Sequence, residues 1–175
     1  MKINNKKEKL ELGIYPLNYT WDKNIFNQLC VAKFVENCHL NYNSLDPRME
    51  EFLTTMEISS TPDKLEKIDE KCLIQSLSKN DAIISTSFTE YVHQVFLISM
   101  ELGIPCLIGN NSDFFENGEE LQKYVVTNAE DNAIINSKMV EIMVKEKDKI
   151  IELYKVWKDN YNKEANEQLE KFLKK

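Results

Sequence analysis

Residues 81–109 read DAIISTSFTEYVHQVFLISMELGIPCLIG. The run Asp81-Ala82-Ile83-Ile84-Ser85-Thr86-Ser87 is a short apolar stretch that passes into polar residues, the pattern of a buried strand leading into a loop. Tyr91 to Leu102 carries apolar residues at helical spacing. Gly103 and Pro105 then stop it: glycine takes the left-handed backbone of a helix C-terminus, and proline cannot continue a helix. Pro105 to Gly109 is a second buried strand. Strand, loop, helix and strand in this order form a βαβ unit, whose two strands run parallel.

The same alternation extends outward in both directions. Upstream, Leu10 to Tyr15 is a short apolar run closed by Pro16, hence a first strand. A loop follows, with Asp22 placed to cap a helix over Asn24 to Asn37. Ile25, Phe26, Leu29, Cys30 and Ala32 share one face of that helix. Cys38 to Tyr42 reads as a second strand, and Asp46-Pro47 opens a short helix, with proline at its first position. Met56 to Ser59 reads as a weak third strand. Thr61-Pro62 repeats the start signal for a helix carrying Leu65, Ile68, Cys72 and Leu77.

Downstream, Asn110 to Gly118 is loop and Tyr124 to Thr127 is the last strand. From Asp131 to the end the pattern is helical. Ile135, Met139, Ile142 and Met143 give one apolar face, then Ile150, Tyr154, Trp157 and Tyr161, then Leu169 and Phe172. The class is therefore α/β. The expectation is a single Rossmann-like domain over residues 10–175, with a parallel sheet of five or six strands, helices on both faces and a helical C-terminal tail. Residues 1–9 form a polar, linker-like leader.

Composition agrees and excludes several classes. The 175 residues suit one domain, not two of ordinary size. Hydrophobic residues make up 42% and charged residues 29%, so the chain can bury a core. Only four glycines and four prolines argue against collagen-like, low-complexity and turn-rich all-β proteins. The net charge is -7, and Arg48 is the single arginine, so a nucleic-acid partner is not expected. Cys30, Cys38, Cys72 and Cys106 show neither C-x-x-C pairing nor a pair of histidines beside them, which predicts small buried thiols in a reduced, cytoplasmic protein and no metal site. The first residues lack the apolar core of a signal peptide, and no run of apolar residues is long enough to span a membrane.

In open parallel sheets ligands bind beyond the carboxyl ends of the strands, where the strand order reverses. With the common order 3-2-1-4-5, the first and fourth strands flank that point. The loop after the first offers Lys23 and Asn24 at a helix start, an anion site. The loop after the fourth offers Ser85, Thr86, Ser87, Thr89 and Glu90. A phosphate-bearing ligand near Lys23, with Glu90 meeting hydroxyls or an acid-base task, is one reading. Ordinary surface residues of an α/β domain are the other. There is neither G-x-G-x-x-G nor a Walker sequence.

Ser87-Phe88-Thr89-Glu90, followed by Met100-Glu101-Leu102-Gly103-Ile104-Pro105, resembles the donor-site motif of retaining GT-B glycosyltransferases. In that family a serine precedes a glutamate by three residues. A second glutamate, eight further on, begins Glu-Ala-Met-x-x-Gly-x-Pro. Leu12-Gly13-Ile14-Tyr15 with Asp22-Lys23-Asn24 resembles the family's first strand and its lysine-glycine helix start. The similarity runs from about Leu10 to the end and covers the C-terminal, nucleotide-sugar-binding half of such an enzyme.

The resemblance implies roles. Lys23 would hold the donor diphosphate and Glu90 would be the catalytic-site glutamate facing the sugar. Asn24, Ser87, Thr89, Tyr91, Val92 and His93 would line the donor, joined by Asn110 and Asn111 from the loop Gly109-Asn110-Asn111-Ser112. The nucleotide diphosphate sugar is then a substrate, and no separate cofactor is implied. The pattern departs from the family at Ile98, which replaces the ribose-binding second glutamate. It departs at Tyr15-Pro16-Leu17, which lacks the usual arginine, at Asn24 for glycine, and at Val92-His93 for a phenylalanine-glycine step.

Two functions follow. One is the donor-binding half of a sugar transferase, whose acceptor-binding half lies in a longer chain or a partner subunit. The other is a non-catalytic Rossmann-like module that binds a protein partner and keeps a degenerate donor site. A receiver-type domain is disfavoured by the lack of an acidic cluster after the first and third strands.

Overall fold

The computed structural model describes residues 9–63, 70–89, 93–111, 115, 120–128 and 130–174. Six strands, β1 (Leu10–Ile14), β2 (Cys38–Asn43), β3 (Ser60–Asp63), β4 (Ala82–Ser85), β5 (Cys106–Gly109) and β6 (Val126–Thr127), form one sheet in the order β3-β2-β1-β4-β5-β6. Every neighbouring pair is parallel. The helices are α1 (Ile25–Phe34), α2 (Pro47–Thr55), α3 (Glu70–Leu77), α4 (Gln94–Glu101), the single turn α5 (Gln122–Val125), α6 (Ala133–Lys145) and α7 (Lys147–Leu173). This is the expected Rossmann-like architecture, with six strands.

The winding reverses at β1. From β1 the chain builds outward to β2 and β3, then returns to lay β4 on the other side of β1. Right-handed crossovers in opposite directions put their helices on opposite faces. Accordingly α1 packs against α6, and α3 against α4. The core between these layers is Leu12, Ile14, Leu40, Ile83, Ile84, Leu107 and Ile108 from the strands, with Leu29, Leu73, Phe96 and Val140 from the helices, all essentially sealed from solvent.

The βαβ unit forms as its punctuation requires. Gly103 has φ +74, Gly103 N–H donates to the Met100 carbonyl at 3.0 Å, and Ile104 N–H donates to the Ser99 carbonyl at 2.9 Å. That pair of bonds closes α4 in a Schellman turn. A Cβ at Gly103 would meet nothing within 4 Å, so its cost is conformational alone. Gly103→Ala should therefore lower stability by about 1–2 kcal/mol, read by urea denaturation.

Several boundaries differ from expectation. The third strand is Ser60–Asp63, not Met56 to Ser59. Glu57 takes φ +53 and Ile58 N–H returns to the Leu53 carbonyl at 3.0 Å, so residues 56–58 close α2 instead. Thr61-Pro62 starts no helix; it lies inside β3. There the carbonyls of Ser59 and Asp63 accept from Leu40 of β2 and from Ser44 just after it, which turns Pro62 outward. The missing N–H then falls on the open edge of the sheet, where it costs no bond. Cys72 and Leu77 lie on α3 as expected, whereas Leu65 and Ile68 fall outside the described residues. Tyr124 and Val125 belong to α5, which leaves only Val126–Thr127 as strand.

The face of α6 is rotated, and α7 buries only the first part of its expected face. On α6 the buried residues are Ala133, Asn136, Ser137, Val140 and Met143, while Ile135 and Ile142 are exposed. The reason is a satisfied polar contact: Thr127 Oγ1 donates to Asn136 Oδ1 at 2.9 Å, and Asn136 Nδ2 reaches the Asp131 carbonyl at 3.4 Å. On α7 Ile150, Tyr154 and Trp157 are buried, but Tyr161, Leu169 and Phe172 are not. Of the four cysteines only Cys106 is buried; Cys30, Cys38 and Cys72 are half-buried. Burial pushes the Cys38 thiol up to about 12, so it stays protonated at neutral pH.

Candidate functional site

The carboxyl ends of β1 and β4 lie side by side, and the loops that leave them meet. After β1, residues 16–20 lead into a 3-10 turn, Trp21–Lys23, and Asn24 at φ +51 turns the chain into α1. Asn24, not Asp22, is therefore the residue at the N-cap. Asp22 is used differently. Its carbonyl accepts from Phe88 N–H at 2.7 Å, and its carboxylate accepts from Thr89 Oγ1 at 2.7 Å. The hydroxyls of Thr20 and Thr89, with the Lys23 ammonium, hold the Asp22 carboxyl below the usual carboxylate range.

Lys23 completes this latch. Its Nζ donates to the Thr89 carbonyl at 3.4 Å and lies 3.7 Å from Asp22 Oδ2, with only 13% of the side chain exposed. Asn24 Nδ2 donates to the Thr86 carbonyl at 3.3 Å, and Gln28 Nε2 to the Lys23 carbonyl at 2.6 Å. From the far side, Asn111 Nδ2 donates to the Ser87 carbonyl at 2.6 Å. Loops after β1, β4 and β5 are thus joined across the reversal point. Lys23, Asn24, Ser87, Thr89 and Asn111 are brought together. His93 is buried beside them at the N-cap of α4, and Asn110 is exposed at the end of β5. Glu90, Tyr91, Val92 and Ser112 lie outside the described residues.

Between these loops is a cleft lined by Tyr15, Lys23, Gln28, Ser85, Ser87 and His93, among others, with a volume of about 20 Å³. That is room for little more than one water. Three acceptor atoms at this edge of the sheet are sealed yet find no hydrogen-bond partner among the described residues: Asn43 Oδ1 after β2, Thr86 Oγ1 after β4 and Asn111 Oδ1 after β5. A buried polar atom left so costs about 1–3 kcal/mol, and such atoms are few in folded proteins.

Asn43 had no signal in the sequence beyond being a polar residue at the carboxyl end of a predicted strand. Among the described residues no cluster of three His, Cys, Asp or Glu side chains could hold a metal ion, and no helix is long and apolar enough to cross a membrane.

No protein-family model and no curated protein matches the sequence. The solved structures do show what the chain resembles in fold. The catalytic domain of a cholesterol-α-glucosyltransferase from Helicobacter pylori superposes with a TM-score of 0.67 at 11% identity, over 86% of this chain and 96% of that one. Anabaena HepE, solved with UDP and glucose, gives 0.67 at 11% identity, over 95% of this chain and 48% of that one. Sucrose-phosphate synthase from Thermosynechococcus elongatus gives 0.67 at 13% identity, over 95% and 46%. The fold is thus the one found in these glycosyltransferases. The chain spans about half the length of the latter two and nearly all of the first.

Proposed function

We propose that this chain is the nucleotide-sugar donor-binding half of a glycosyltransferase, moving a sugar from a nucleotide diphosphate sugar to an acceptor. The acceptor-binding half comes from a longer chain or a partner subunit. The observation that carries the reading is the placement of the Lys23 ammonium, bridging the β1 and β4 loops at the sheet's reversal point. A diphosphate there gains a cation and the backbone donors that open α4. Ser87 and His93 line the same cleft, and we extend the site to Asn24, Thr89, Glu90, Tyr91, Val92, Asn110 and Asn111 on sequence grounds, with Glu90 facing the sugar. HepE, solved with UDP-glucose, supports the choice of ligand class.

Calorimetric titration of the chain with UDP and GDP tests this. Binding is expected to be weak, because the cleft is small and Ile98, at the position of the family's ribose-binding glutamate, offers no acceptor. Lys23→Ala should weaken it further, by about 1.5–3 kcal/mol, the worth of one charged contact. Affinity unchanged by the substitution would remove Lys23 from the site. No heat with either nucleotide would favour the second reading, a non-catalytic module, which draws on Ile98 packing against the core from its half-buried position.

A further inference from the structure

A second hollow opens on the other side of the turn that carries Lys23. It is lined by Tyr19, Trp21, Asn24, Phe26, Asn27 and Arg48, and its volume is about 370 Å³, within the range of small-molecule sites. Consecutive residues divide the two spaces: Lys23 faces the donor cleft and Asn24 the hollow.

The walls are aromatic, and the Trp21 ring leans on Phe88 of the β4 loop at 6.2 Å. Trp21 is 82% exposed, an indole left in water. Its backbone cannot swing, because Asn24 N–H donates to the Trp21 carbonyl at 3.2 Å and the next residue, Asp22, is bonded to the β4 loop. Phe26 meets Tyr19 edge-on at 6.4 Å and Phe52 at 5.1 Å. The charge at the rim is cancelled. Arg48 Nε and Nη2 both donate to the Asp46 carboxylate at 2.9 Å, while the guanidinium lies 5.2 Å from the centre of the Tyr19 ring. A phosphate would have to compete with Asp46 for that fork. The remaining polar groups are neutral amides: Asn27 is tied to the Asp131 carbonyl at 2.9 Å and Asn24 to that of Thr86 at 3.3 Å.

We propose that this hollow is a second binding site, for a neutral sugar ring. A pyranose has a face of C–H bonds and a rim of hydroxyls. The C–H face packs on the electron-rich face of an indole or phenol, and the rim finds uncharged amide groups. An exposed aromatic wall on an anchored backbone, beside neutral donors and acceptors and with the rim arginine paired to Asp46, suits that ligand better than an anion or a peptide. The assignment stands apart from the donor reading, since none of it needs a nucleotide.

The test is an amide NMR titration of the whole chain with maltotriose and with cellotriose, reading the Trp21 indole N–H and the amides of residues 19–27. Saturable shifts centred on Trp21 are expected with at least one of them. Trp21→Ala should weaken that binding by roughly tenfold, and Trp21→Phe should restore most of it. The residue's exposure leaves the fold intact in both variants. Silence with both sugars overturns the proposal, as does equal binding by Trp21→Ala. Shifts on this patch that grow with protein concentration alone would mean self-association and also overturn it. UDP is titrated in parallel. Sugar binding at Trp21 without any UDP binding refutes the donor reading and leaves this site standing. UDP displacing the sugar from Trp21 refutes this site.

Discussion

Gly13→Ala should cost the domain roughly 3 kcal/mol, the upper part of the range for overpacking a native core. Gly13 sits in the central strand, paired to Asn41 on one side and Ile83 on the other. A Cβ built there overlaps the Ile83 Cδ1 methyl and comes within 2.8 Å of both Asn80 Cγ and Tyr15 Cε2. None of these neighbours can step aside freely. Ile83 is wholly buried. The Tyr15 hydroxyl is held between Asp63 Oδ2 at 3.0 Å and the Ser76 carbonyl at 3.1 Å. Asn80 Nδ2 donates to the Ser76 carbonyl at 2.8 Å, and its Oδ1 accepts from Asn41 Nδ2 at 3.0 Å. Moving either side chain breaks a buried network, and an unpaired buried group costs as much as the clash it relieves. For a chain of this length the expected fall in melting temperature is about 6–12 °C, measured by calorimetry. A fall no greater than that of Gly103→Ala would mean that the strand shifts to admit the methyl and that the network is soft.

The sheet could be read from the sequence because parallel strands buried on both faces are written as unbroken apolar runs, as in Leu12 to Tyr15, Ala82 to Ile84 and Cys106 to Ile108. β3 could not. Ser60–Asp63 contains no large apolar residue, and its strand character comes entirely from the edge of β2, which it pairs. Lys23, Asn24 and the serine-threonine loop were legible because a reversal of strand order brings the first and fourth strand ends together whatever the details. The latch between them was not. Asp22 looks like a helix cap in sequence, and only the folded chain shows its carboxylate spent on Thr89. Helix faces failed where a polar residue is buried with its partner: hydropathy places Asn136 outside, and Thr127 brings it in. The exposure of Trp21 was equally hidden, since an aromatic residue in a loop carries no mark of which way it faces.

Ile98→Glu is expected to lower stability and to tighten nucleotide binding at once. Ile98 lies on α4 one turn after Val95, half-buried and packed on the core. A carboxylate there loses hydration without gaining a partner in the free protein, which costs more than the roughly 1–3 kcal/mol of a neutral polar group buried without one. The charge can be separated from the shape by comparison with Ile98→Gln. Desolvation raises the carboxyl's folded-state pKa above its unfolded value, so the folded state binds the extra proton between the two. Stability of the Glu variant relative to the Gln variant therefore falls as pH rises through that window. The gap closes below the unfolded value of about 4.3. A difference independent of pH would mean that position 98 is wet. Ligand binding supplies the partner that the free protein lacks. If the nucleoside lies along α4, the new carboxylate accepts from both ribose hydroxyls, and charge-assisted bonds of this kind are worth roughly 1.5–3 kcal/mol each before desolvation takes its share. UDP should then bind at least about tenfold more tightly, and its binding should recover the lost stability by mass action. A destabilised variant that binds UDP no better than the native chain would show that α4 does not face a ribose. The donor would then have to lie elsewhere along the sheet edge, or the chain would have no donor site at all.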